Sequence, residues 1–225
     1  MTAVTHPRLA PQRGSVAGTW WSRAFVRAVE EAAFSVEDLR LGRSLARAGA
    51  VGSITVDSGS VVAAVDDRDD TFTVTVSVPV LDERGRAALA EVVASEAGRV
   101  AALMSGDLPH SLVEAAEESG VELLPYGAEL GAACGCDAWL DPCPHALAVL
   151  TQVGWLVKAD PFVLLLLRGL GRDDLLARVH ALTSSAGGST ADDDPAYAVA
   201  EEAAARAQRL LAAIDEPGED LGRWL

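Results

Sequence analysis

Apolar positions recur along this chain with two periods, and the changes of period mark its elements. From Trp20 through Trp21, Phe25 and Val29 the spacing is near-helical, with Thr19 placed to cap the start. Ser35-Val-Glu-Asp38 has the form of a capping box with Asp in place of Glu. It opens a second helix carrying Leu39, Leu41, Leu45 and Ala46, and Gly49 suits its left-handed cap. The period then drops to two. Val51 to Asp57 and Val61 to Val65 flank the turn signal Ser58-Gly59-Ser60, and Thr71 to Val80 alternates Thr with Phe72, Val74, Val76, Val78 and Val80. This predicts a half-buried antiparallel meander of three strands, with Asp66-Asp-Arg-Asp-Asp70 as a solvated acidic turn.

Helical spacing returns afterwards. One long helix is expected from Glu83 to Met104, ended by Gly106, and another from Ser111 to Ser119, ended by Gly120. Val121 to Leu124 suggests a short strand. From Ala146 to Val157 only Thr151 and Gln152 are polar, so this helix is apolar nearly all round and must be buried. Asp160-Pro161 caps and starts the next helix, and residues 172–182 form one more. The fold class expected is α+β: a small antiparallel β-meander with a mainly helical remainder built around a metal-pinned central helix. Residues 19–182 make the domain. Residues 1–18 read as a mobile arm, 183–196 as a flexible linker rich in Ser, Gly, Thr and Asp, and 197–225 as an Ala-rich helix with a tail.

The pin is the stretch just before that central helix, Cys134-Gly-Cys-Asp-Ala-Trp-Leu-Asp-Pro-Cys-Pro-His145, with spacing C-x-C-x6-C-x-H. It holds all three cysteines of the chain. Cys134 and Cys136, separated by a glycine, can point the same way from a strand or tight turn. Asp141 and Pro142 resemble a helix start, which sets Cys143 and His145 in or just before a first turn. Buried free cysteines are common, but three with a histidine inside twelve residues make a complete tetrahedral set, and the expected cofactor is Zn2+.

Charge changes the functional picture. The net charge is −15, from 33 acids against 18 bases, and it is uneven. Residues 1–50 carry seven bases and four acids, whereas residues 101–150 carry eight acids and no Lys or Arg. Phosphate backbones are held mainly by Lys and Arg, so the cysteine segment lacks that footprint. The best basic stripe is Arg40, Arg43 and Arg47, spaced three and four apart, which is either a solvated face or a nucleic-acid contact. No apolar stretch follows a basic start, and the longest purely aliphatic run, Val163 to Leu167, is far below the ~20 residues that cross a bilayer. Clustered cysteines without a secretory signal favour a metal site in a reducing cytoplasm, with no membrane partner.

The metal motif resembles the SWIM zinc finger, whose pattern is C-x-C, a spacer often ending in Pro, then C-x-H on a helix. Ala159-Asp-Pro-Phe-Val-Leu-Leu-Leu-Leu-Arg-Gly169 downstream and Gly42-Arg-Ser-Leu-Ala-Arg-Ala-Gly-Ala-Val51 upstream are similar to bacterial SWIM proteins found near Swi/Snf-type helicases. The likeness covers about Ser35 to Leu182, but Pro144 stands where relatives often carry Lys or Arg. It implies zinc on Cys134, Cys136, Cys143 and His145, and an accessory nucleic-acid-associated module working with such a helicase. Four protein ligands leave zinc no open position for water or substrate, so no catalytic residues are expected. The acidic balance favours the alternative, a protein–protein adaptor in which zinc is purely structural.

Overall fold

The structure is a computed structural model that describes residues 3–12 and 18–188. In chain order it runs β1 (Val4–His6), α1 (Trp20–Ala32), α2 (Val36–Ala48), β2 (Val51–Asp57), β3 (Ser60–Asp67) and β4 (Asp70–Ser77). There follow α3 (Glu83–Ala94), α4 (Ala97–Met104), α5 (His110–Glu118), a 3-10 turn (Gly127–Glu129), β5 (Gly131–Cys134), α6 (Pro144–Ala159), α7 (Pro161–Leu167) and α8 (Arg172–Gly188). The class is α+β, as the periodicity predicts.

The sheet is antiparallel throughout with order β1-β2-β3-β4-β5. Its inner face is the alternating set the sequence picks out: Ile54 and Val56, Val61, Ala63 and Val65, Val74 and Val76 are all buried. Gly59 takes a left-handed conformation (φ 72°) in the β2–β3 turn. Of the two outer strands, β5 realises the strand alternative at Cys134, and β1 is not in the sequence reading. Val4–His6 lies within the stretch expected to be an arm, yet it pairs with Ile54 to Val56, and Arg8 donates to the Gly49 carbonyl at 2.8 Å. An isolated three-residue strand has too weak a pattern to register until an edge exists for it to join.

Caps behave as their residue types dictate. The Thr19, Ser35 and Asp82 side chains accept from the backbone N–H three residues on, and Gly49 closes α2 with φ 74°. The expected single helix from Glu83 to Met104 is two. In a continuous helix the Val92 carbonyl would accept from the Glu96 amide; here it takes Ser95 Oγ (2.8 Å) and the buried Arg99 guanidinium (2.6 Å), and Glu96 is extended. Val121 to Leu124 form no strand. Val121 and Leu123 are buried, and the Glu122 carbonyl accepts from buried Arg168. The last described helix runs to Gly188, so residues 183–188 of the expected linker are helical. Residues 189–225, including the proposed C-terminal helix, lie outside the described residues.

The chain divides into two compact units, Met1–Val179 and His180–Leu225. In the first, α6 is the hub. It packs against β2, β3, β4 and β5 and against α1, α2 and α7, and eleven of its residues are buried. Trp21 and Trp20 serve this packing with their polar ends. Trp21 Nε1 donates to the Val157 carbonyl (3.0 Å) and Trp20 Nε1 to the Leu108 carbonyl (2.9 Å). Even buried Gln152 reaches across, Nε2 to the Ala46 carbonyl at 2.9 Å.

α2 touches α6 at its first turn through Gly42. A Cβ there would lie 2.6 Å from Leu147 Cβ and 2.9 Å from the Pro144 carbonyl oxygen. Gly42→Val is therefore expected to destabilise by about 2–3 kcal/mol, since overpacking against backbone exceeds the ~0.5 kcal/mol gained in helix propensity. Thermal unfolding beside Gly98→Ala, at a helical glycine with nothing within 4 Å, checks this: the control should not fall.

Candidate metal centre

Four side chains converge at the start of α6. Cys134 ends β5, held by pairing of Val74 with Cys134 in the sheet. Cys136 lies in the loop beyond. Cys143 occupies the N-cap of α6 (φ −74°, ψ 171°), and Pro144 takes the first helical position, where its missing N–H costs nothing. His145 follows in the first turn. The helix thus begins two residues later than Asp141-Pro142 suggests, which leaves Cys143 free to turn inward.

The ligand atoms of Cys134, Cys136, Cys143 and His145 all lie within 4.8 Å of one another. The Cys134 Sγ to His145 Nδ1 distance is 3.8 Å. Bond lengths of about 2.3 Å to sulfur and 2.0–2.1 Å to nitrogen give a tetrahedron with edges of roughly 3.5–3.8 Å. The four positions therefore fit a single ion with little adjustment. Cys143 is 1% exposed and His145 is buried, while Cys134 and Cys136 are half-buried. These four residues could hold a metal ion, as their spacing predicts.

The thiols show what they lack without a cation. Burial, reinforced by the neighbouring thiols, pushes Cys134 up to about 12. Burial and the Cys136 sulfur likewise raise Cys143. Burial also opposes ionisation of Cys136, but the Ala138 amide, the His145 ring and the other thiols outweigh it, and Cys136 is held below its ordinary value. Three thiolates cannot share this space unless a cation offsets their charge, so metal uptake releases protons.

Beyond the four ligands lies a residue that sequence reading places in a solvated turn. His145 Nε2 faces Asp67 Oδ2 at 3.2 Å, while Nδ1 faces the cysteines. A carboxylate on the outer nitrogen fixes the ring's tautomer and orientation and makes the inner nitrogen a better donor to a metal. Phe72 stacks on the same ring, with centroids 4.6 Å apart and planes 20° apart. Asp67 is 78 positions from His145, and no local signal in its acidic turn marks it out. Only the β3–β4–β5 register brings the two together.

The basic stripe on α2 is real but largely answered. Arg40 pairs with Glu37 (2.7 Å) and Arg43 with Glu30, and both arginines lie on partly exposed surface. Among the described residues the Arg47 side chain has no ion-pair partner.

No protein-family model matches the chain, and no solved structure matches it. The chain is 33% identical over 182 residues to the uncharacterized protein Rv2102 of Mycobacterium tuberculosis, an alignment covering 80% of this chain. It spans 65% of that relative's length. No helix among the described residues is long and apolar enough to cross a membrane.

Proposed function

We propose that Cys134, Cys136, Cys143 and His145 hold one zinc ion, and that the chain is a non-catalytic SWIM-type finger protein serving as an accessory module beside a Swi/Snf-type helicase. The observation that carries the reading is the convergence of the whole C-x-C-x6-C-x-H set on the first turn of the buried hub helix. Three thiolates and a neutral imidazole around a divalent ion leave a single net negative charge. The positive end of the α6 dipole stabilises that charge. All four coordination positions are filled by protein, so the ion's role is to hold β5, the loop and α6 together rather than to activate water. On this reading the helicase supplies most of the DNA affinity, because the segment around the centre has no base and two of the three α2 arginines are already ion-paired.

A second reading, the protein–protein adaptor, has its own support. Trp139, in the loop between the cysteine pairs, is 99% exposed, and Leu140 beside it is half exposed. An aromatic held out by a metal-stiffened loop is the kind of anchor that buries into a partner's pocket. One experiment separates the two. The tagged chain should retain a Swi/Snf-type helicase, and alone should bind duplex DNA weakly, with binding falling steeply with salt and in Arg40→Glu/Arg43→Glu/Arg47→Glu. Retention of another protein, lost in Trp139→Ala, with no DNA binding at moderate salt, would replace the helicase reading with the adaptor.

A further inference from the structure

At the other end of α6 is a groove that the metal centre does not explain. Lys158 is thirteen residues beyond His145, about 20 Å along the helix. The groove is walled by α1, α2 and α6 and has a volume of about 540 Å³. Arg23 and Arg27 line it from one turn of α1, Arg43 and Arg47 from one turn of α2, and Lys158, the only lysine in the chain, from α6. Among the described residues that line it, Glu30 is the one acid, and it is engaged by Arg43.

This arrangement runs against the composition. With 33 acids for 18 bases, carboxylates to pair with every cation are plentiful. Yet among the described residues Arg23, Arg27, Arg47 and Lys158 have no carboxylate partner, and Arg23 donates only to the Gly18 carbonyl, at 3.4 Å. Cations gathered from three helices across a low-dielectric cleft repel one another and focus a positive potential, which an anion relieves. The lining adds a second element of recognition: Val26, Val29, buried Gly154 and half-buried Trp155 give it an apolar part that includes an aromatic side chain. A planar ring stacks on such a surface at a worthwhile gain.

We infer that this groove binds a compact organic phosphate carrying a planar ring, of the nucleoside polyphosphate kind. The phosphates sit among Arg27, Arg47 and Lys158, and the ring lies against Trp155. The volume is that of a small-molecule site. A long polyanion is disfavoured because beyond the groove it meets a protein of net charge −15, whereas a compact one is confined to the positive cleft. The inference is independent of what the metal centre does.

The test is calorimetric titration of the full, zinc-loaded chain with ATP, with pyrophosphate and adenosine as its separate halves, and with a twelve-nucleotide single strand and duplex. ATP should bind, pyrophosphate more weakly, and adenosine weakest. Arg27→Glu/Arg47→Glu should weaken ATP at least tenfold, and Trp155→Leu should weaken ATP more than pyrophosphate. Arg84→Glu, on α3 and outside both the groove and the α2 stripe, should leave ATP binding unchanged. If the double variant fails to fold, Lys158→Ala is read in its place, with an expected loss of at least threefold. Absence of ATP binding at millimolar concentration, or equal binding by the folded groove variants, overturns the inference. So does tighter binding of the single strand or duplex than of ATP, lost in the same variants, which would make the groove a nucleic-acid track.

Discussion

Cys143→Ser is expected to empty the metal centre and lower the melting temperature by roughly 10 °C. Cys143 is the most buried of the four proposed ligands and stands at the N-cap of α6. The substitution has an unusual advantage. Cys143 makes no side-chain capping hydrogen bond, whereas serine is among the best N-caps, worth up to ~1 kcal/mol. N-capping by serine therefore offsets part of what burying a hydroxyl in place of the Cys143 sulfur costs, and the larger share of the expected loss comes through the ion. Structural zinc is worth on the order of 10–16 kcal/mol in small peptide fingers. Here a large core folds beside it, so the expected net loss is about 3–5 kcal/mol, which for a domain of this size corresponds to that shift. Metal content by mass spectrometry and thermal unfolding should fall together, and a chelator should reproduce the effect in the unmodified chain. A chain that purifies without zinc, or that keeps its melting temperature after chelation, would remove the structural role.

The second large effect belongs to a residue outside the motif. Asp67→Asn keeps the shape of the side chain but removes the charge that faces His145 Nε2 at 3.2 Å. Partners of this kind are typically worth 10–100-fold in metal affinity. The Asp67 side chain is 38% exposed, so solvent screens it, and about tenfold is expected. Competition with a chromophoric zinc chelator reads this directly. The chain should still fold, because Asp67 is the last residue of β3, is partly exposed, and asparagine keeps its shape. Unchanged affinity would mean that the carboxylate does not orient the ring. Phe72→Ala is the companion variant: loss of the ring stacked on His145 should loosen its orientation without altering the charge.

The candidate centre and the fold were legible to different degrees for physical reasons. Covalent spacing fixes which residues can meet when they are twelve apart or fewer. The candidate ligand set is therefore readable between Cys134 and His145 alone. The alternation of Val74, Val76 and Val78 and the nearly unbroken apolar run of α6 were readable for a similar reason, since burial on one face or all round is written directly in residue type. Caps at Thr19, Ser35, Gly49 and Asp160 are local chemistry and appeared where expected.

Other features depend on groups far apart in sequence. The α3–α4 break depends on whether the Arg99 guanidinium is buried against the Val92 carbonyl, and helix propensity through Glu96 gives no hint of that. The strand Val4–His6 exists because β2 offers it an edge. Asp67 reads as one of five residues in a polar turn until β3, β4 and β5 align and place it against His145. Arg43 and Arg47 read as a solvated face or a nucleic-acid contact, and nothing local joins them to Arg23, Arg27, Lys158 and Trp155, which line the same groove. Short-range spacing and side-chain polarity are enough to pick out the candidate metal-ligand set, the buried α6 and the alternation of β2, β3 and β4. Which distant charges face one another is written in no local pattern, because it depends on the packing of whole elements.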